Sequence, residues 1–167
     1  MRSQPIKLPA ALAAIILGAS ASPSSAQATA NPESEVIAAV QAWLDAFEAN
    51  DTELLSKLTH PDGVQFSARY LPGQERIRVR TNRQDLEDAA APRPRFTERF
   101  WNPKVLVRAD LAQFWAPYSF DIDGKRSHCG IDSFSLMRID GRWVMTNASW
   151  TVEPPETSCT ALGEPRR

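Results

Sequence analysis

The stretch YSFDIDGKRSHCGIDSFSLMRIDGRWVM, Tyr118 to Met145, decides how this chain folds. It carries Asp123-Gly124 and Asp140-Gly141 between runs rich in aromatic and aliphatic residues, the short-range signature of β-hairpins. A meander of strands is therefore expected over Leu111 to Ile122, Arg126 to Arg138 and Arg142 to Val152. Side chains alternate between the faces of a strand, so Phe114, Ala116, Tyr118, Phe120 and Ile122 share one row. On the next strand His128, Gly130, Asp132, Phe134 and Leu136 share another, with Cys129 on the opposite face.

Which rows meet depends on loop length, because a slip of one residue moves every side chain to the other face. A two-residue Asp-Gly loop pairs Tyr118 with Cys129; a three-residue loop with glycine last pairs Tyr118 with His128 and Phe114 with Asp132. The three-residue form is expected at both turns, and at the second it pairs Phe134 with Thr146 and Asp132 with Ala148. It keeps Phe114, Tyr118, Phe134, Ala148 and Trp150 on one largely apolar face. His128 and Cys129 are then no nucleophile–base pair: His128 joins Tyr118 and Asp132 inside, and Cys129 faces outward.

Upstream, Val36, Ile37, Val40, Trp43, Leu44 and Phe47 recur at helical spacing, with Asn31-Pro32 as a start signal and Asn50-Asp51 as an end. The latter also caps a shorter helix carrying Leu54, Leu55 and Leu58. VQFSARYL after Gly63 reads as a strand, and RIRVR as a half-exposed one whose arginines Arg76, Arg78 and Arg80 are read as an edge that repels pairing partners, with anion binding as the alternative. TNRQDLEDAAA from Thr81 reads as a short capped helix ended by Pro92 to Pro94, and Phe96 to Val107 as a strand interrupted at Pro103.

The first residues read as an export signal: Arg2 and Lys7, an apolar run from Leu8 to Ala19, and a small-x-small site ending at Ala28. The run is too short for a permanent bilayer span of about 20 residues, so no membrane association is expected after cleavage. The expected organisation is a signal peptide over 1–28, one domain over 29–155 and an irregular tail over 156–167, in a periplasmic or secreted protein. In an oxidising compartment Cys129 and Cys159 are expected to form a disulfide, which in the loop-entropy model is worth roughly 3 to 4 kcal/mol. The net charge of −1 argues against nucleic acid as a partner.

Helix, short helix, strand, helix and a terminal two-hairpin meander resemble the nuclear transport factor 2-like superfamily, which includes ketosteroid isomerase and the SnoaL-like polyketide cyclases. The pieces that carry the resemblance are AWLDAFEANDTELLSKLTHPDGV, Ala42 to Val64, and the Tyr118–Met145 stretch, within a similarity covering about Glu33 to Val152. It implies an α+β cone-shaped barrel, a curved antiparallel sheet wrapped around N-terminal helices, with a pocket inside. It also implies a hydrogen-bond-donating, protonated acid at Asp132. The positions matching the family's base and helix tyrosine hold Ser67 and Trp43, so steroid isomerisation is not expected.

The candidate catalytic residues are His128 as acid or base, Asp132 as a neutral donor and Tyr118 as an orienting hydroxyl, with Trp43, Phe114, Phe134 and Trp150 as pocket wall. The alternatives are an Asp132 paired with an arginine or backbone amide and a solvated His128. Trp115 and Trp143 are read as packing residues. With few histidines and no ligand-spaced motif, neither a metal nor a cofactor is expected. The leading reading is a binder of a small apolar molecule, monomeric or homodimeric; the alternatives are an isomerase, dehydratase or cyclase, and a protein-interaction module.

Overall fold

The structure is a computed structural model, and it describes residues 31–74 and 76–165; the expected export signal lies outside them. Helix α1 (Pro32–Ala49) starts with the Asn31 side chain accepting from the Glu33 amide at 3.1 Å and stops at Asn50, whose φ of 56° is left-handed. Asp51 then caps α2 (Thr52–Leu58) by accepting from the Leu54 amide at 2.9 Å. Strands β1 (Val64–Arg69) and β2 (Arg76–Thr81) form a hairpin. Helix α3 (Asn82–Ala89) follows, opened by a Thr81–Gln84 capping box. Strands β3 (Phe96–Phe100) and β4 (Lys104–Arg108) are parted at Pro103, which cannot donate to a ladder. The long meander β5 (Leu111–Ile122), β6 (Lys125–Ile139) and β7 (Arg142–Val152) completes the sheet, and α4 (Pro155–Ala161) follows.

The sheet runs β2-β1-β7-β6-β5-β3, with β4 also on β5, and β1–β7 as its parallel pair. It is curved and unclosed. The buried stripe Val36, Val40 and Leu44 of α1 packs across its concave side against Phe114, Ala116, Phe134, Leu136 and Ala148. This is the expected α+β cone.

Register is where the expectation fails in detail. Both Asp-Gly loops have two residues, with Ile122 opposite Lys125 and Ile139 opposite Arg142, and all four loop residues at positive φ: Asp123 49°, Gly124 76°, Asp140 49° and Gly141 77°. That is the turn whose twist matches the strands it joins. A bulge then inserts Ser127 on β6 and another inserts Thr146 on β7. Each bulge restores the parity that the shorter loop reverses. His128 therefore faces Phe120, not Tyr118; Tyr118 faces Gly130; Phe114 faces Phe134; Asp132 faces Ala116 and Trp150; and Phe134 faces Ala148. The expected pairs are displaced by two residues, so the faces hold and the partners change.

The bulge on β7 is held by a side chain. Buried Asn82 donates from Nδ2 to the Thr146 carbonyl at 3.1 Å and the His60 carbonyl at 2.7 Å, and accepts from Gln65 Nε2 at 3.0 Å. A bulge leaves backbone groups off the ladder, and a buried one needs such a partner.

The tail is not irregular. Residues 155–161 are helical, and Cys159 is joined to Cys129 on the outer face of β6, as expected. Pro155 at the first turn, where an amide hydrogen would lack a partner anyway, starts this helix despite the proline-rich context. The Trp101 indole donates to the Leu162 carbonyl at 2.8 Å and packs on the disulfide. Trp115 is no packing residue: it stands half-exposed on the outer face.

Candidate functional site

The concave side encloses a cavity of about 520 Å³ between α1, α3 and the sheet. Trp43, Phe47, Phe96, Phe120, Phe134 and Trp150 supply its aromatic wall. The Trp43 ring stacks on Phe47 with centroids 5.4 Å apart, and its indole donates to Thr59 Oγ1 at 2.8 Å. Trp43→Phe removes that bond and is expected to cost about 1 kcal/mol in urea unfolding with the cavity retained. Phe114, expected at the pocket wall, instead stacks on Phe134 within the core beneath it.

His128, Tyr118 and Asp132 all line the cavity, as their shared face requires, and the Tyr118 and His128 rings meet edge-on with centroids 5.7 Å apart. His128 and Asp132 are four residues apart on β6, roughly 13 Å of extended chain, with Gly130 between them. The Tyr118 hydroxyl crosses above Gly130 from β5 and donates to the Thr151 carbonyl on β7 at 2.7 Å. Glycine is required there, since a Cβ on residue 130 would stand 2.1 Å from that same carbonyl oxygen. Tyr118 is thus a strut across the sheet, its proton committed to backbone.

The His128 ring stacks on Phe120 at 4.9 Å and meets Ser127 Oγ through Nδ1 at 3.0 Å. Burial, aided by the charges of Arg69 and Arg126, lowers its pKa to about 4, so the imidazole is neutral at pH 7 and a weak base.

Asp132 is buried, and its Oδ2 meets no N–H or O–H among the described residues. Its partner is the carboxyl of Glu98, on β3. Two carboxyls hydrogen-bond only when one carries a proton. Burial drives both upward: Asp132 lies well above the usual range, pushed further by the Glu98 charge and hydrogen bond, and Glu98 rises to about 7 although the bond to Asp132 opposes the rise. At neutral pH the pair keeps at least one proton. The shift at Asp132 has the direction that a neutral donor requires, and the carboxyl of Glu98 beside it was not among the expected site residues.

Glu98 was legible in principle. In FTERF it alternates with Phe96 and Phe100, so an acid sits in an otherwise aromatic row. Arg69, Arg78 and Arg80 also line the cavity. The arginine side of β2 faces the cavity mouth, while Ile77 and Val79 are exposed on the outer face, the reverse of a half-buried strand's arrangement. Outside the cavity Cys129, Cys159 and Glu164 come within reach of a common point, but both thiols are consumed in the disulfide, which leaves no metal-ligand set there.

No protein-family model matches the chain, and no curated protein sequence matches it significantly. Solved structures do. A nuclear transport factor 2-like protein from Cytophaga hutchinsonii superposes with a TM-score of 0.62 at 15% identity, over 73% of this chain and 98% of that one. One with a cystatin-like fold from Novosphingobium aromaticivorans gives 0.57 at 13% identity, over 78% and 88%. A candidate dehydratase of that family from Streptomyces avermitilis gives 0.58 at 18% identity, over 73% and 96%. Identities this low establish architecture alone. The helices laid across a curved, open sheet, the pocket between them and these superpositions together identify a protein of the nuclear transport factor 2-like fold.

Proposed function

We propose that the chain is an exported protein, periplasmic or secreted, that binds a small, largely apolar molecule inside its cone. The carrying observation is the cavity of about 520 Å³ with its aromatic wall, well inside the size range of ligand sites, roughly 300–1,000 Å³. A protein-interaction module with a filled cone would have no such space. The disulfide between Cys129 and Cys159 supports an oxidising destination. The Asp132–Glu98 carboxyl pair supplies polar contacts at one station and neutral His128 at another, so a bound molecule is oriented as well as buried.

Titration with the neutral dye Nile red tests this reading. Saturable, stoichiometric binding that quenches tryptophan emission, and that small apolar molecules reverse, is expected. Dye uptake that does not saturate overturns it. Native mass spectrometry of the exported protein reports in the same measurement whether the N-terminal segment has been removed and whether a ligand remains bound.

A second reading has its own observation: a carboxyl with a pKa of about 7 beside a neutral carboxylic acid is the arrangement of a base and an oxyanion donor. In a cofactor-independent isomerase, dehydratase or cyclase, Glu98 then moves the proton and Asp132 holds the developing oxyanion. His128, the base expected from the sequence, is the weaker of the two at about 4. On this reading the protein accelerates deuterium exchange α to the carbonyl of a bound apolar ketone, and Glu98→Gln slows it by about 100-fold with Nile red binding unchanged. Equal exchange in both proteins returns the site to binding alone.

A further inference from the structure

We infer that the molecule bound in this cavity is an amphipathic anion, an apolar body ending in a carboxylate that Arg69 binds with Arg78 beside it at the rim. The inference rests on the cavity being a ligand site and names what that ligand carries.

The strand register sets the geometry. Arg78 lies opposite Ser67 and Arg80 opposite Gln65, so Gln65, Ser67 and Arg69 of β1 and the arginines of β2 make a polar flank to an aromatic cavity. Not every cation there is available. Arg80 is held by Asp85 and Asp88. Arg93 donates to Asn50 Oδ1 at 2.8 Å and to the Phe47 carbonyl, and its guanidinium lies over the Phe47 and Phe96 rings.

Arg69 and Arg78 differ. Arg69 donates from one terminal nitrogen to Gln74 Oε1 at 2.9 Å, while its Nε is buried and meets no acceptor among the described residues. The Arg78 side chain makes no hydrogen bond or ion pair among those residues, although it lines the cavity, and its backbone belongs to the β1–β2 ladder. A guanidinium that cannot give up its proton carries its charge wherever it is buried, and a buried N–H without an acceptor is costly.

The acids inside the cone do not answer that charge. Asp132 and Glu98 share a proton with one another. The charge of Arg69 is felt across the cavity instead, where it helps to keep His128 neutral and opposes the other influences on Tyr118. A ligand carboxylate would complete the guanidinium's planar donor set and supply the missing charge in a site walled by hydrocarbon. A cationic head group would meet Arg69 with like charge, and a neutral one would leave that charge unanswered.

Displacement of Nile red by decanoate, decanol and decylamine separates the possibilities. Decanoate is expected to displace the dye at roughly tenfold lower concentration than decanol, with decylamine weakest. Arg69→Gln is expected to remove the advantage of decanoate while leaving decanol where it was, so decanol reports that the variant is folded. Arg78→Gln, at an exposed position, is expected to weaken decanoate by a smaller factor that vanishes at high salt. Decanol equal to decanoate in the unmodified protein overturns the anion inference and leaves the cavity reading intact. Failure of Nile red itself to bind overturns both.

Discussion

With Cys129 and Cys159 both replaced by alanine, the protein is expected to unfold about 3.5 kcal/mol more easily, a fall of roughly 10 °C in melting temperature, with Nile red binding unchanged. The bridge spans a sequence separation of 30 and ties the C-terminal helix to β6. Its stabilisation comes mainly from denying the unfolded chain the conformations in which those ends separate. Without it α4 keeps few anchors: the Trp101 indole on the Leu162 carbonyl and the Arg126–Glu164 ion pair at 2.7 Å. Cys129 faces away from the cavity while His128 faces into it, so the loss falls on stability and not on the site. Urea unfolding with and without reductant, read by tryptophan emission, checks the first half. If the alanine variant matches the disulfide form in stability, the helix is held by packing alone. If Nile red binding falls with the bridge, α4 shapes the cavity from behind.

The separation of thiol from imidazole shows how far the sequence could be read. Alternation along SHCGIDSF puts His128 and Cys129 on opposite faces whatever their partners are, and the structure agrees. Partners are another matter. A two-residue turn followed by a bulge and a three-residue turn without one place the same residues on the same faces, so hydrophobic pattern cannot distinguish them. What does distinguish them is tertiary: Thr146 can bulge because Asn82, 64 residues earlier, reaches its carbonyl. No local pattern carries that information.

The cavity wall was legible where it is aromatic and illegible where it is polar. Trp43, Phe134 and Trp150 lie in rows whose burial alternation announces. β1 and β2 follow the opposite convention. In VQFSAR and RIRVRT the apolar residues Phe66, Ile77 and Val79 are exposed, while Gln65, Ser67, Arg69, Arg78 and Arg80 line the cavity. β1 and β2 invert the usual inside-apolar rule because their inner face forms the polar flank of the cavity and not part of the packed core. Glu98 is hard to read from sequence because it is an acid among phenylalanines whose neighbour Asp132 comes from a strand not adjacent to its own.

The carboxyl pair should make the folded protein less stable as pH rises, the reverse of ordinary acid denaturation. An acid whose pKa is raised by folding binds more protons in the native state than in the unfolded one, so unfolding free energy falls with pH across the interval between the two values. For Glu98 that interval runs from the ordinary 4.5 to about 7, a loss on the order of 3 kcal/mol. Asp132, starting from 3.8 and raised well above it, extends the decline to higher pH. His128 acts in the opposite sense, because its folded value of about 4 lies below the ordinary 6.5 and it adds stability as pH rises between them. Below pH 6.5 it therefore offsets one of the two carboxyls, and above that only the carboxyl contribution is left. Glu48, lowered chiefly by its hydrogen bond to Arg95, adds its stability at lower pH and does not affect this range. Urea midpoints between about pH 5 and pH 8 should fall, and Glu98→Gln should flatten the profile and unfold later than the unmodified protein at the alkaline end. The amide can donate to Asp132 without ever acquiring charge, which keeps the hydrogen bond and removes the repulsion. Midpoints that rise steadily across this range, or a Glu98→Gln variant with an unaltered slope, would mean that the two carboxyls do not share a proton, and with that the neutral donor at Asp132 and the base at Glu98 are both lost.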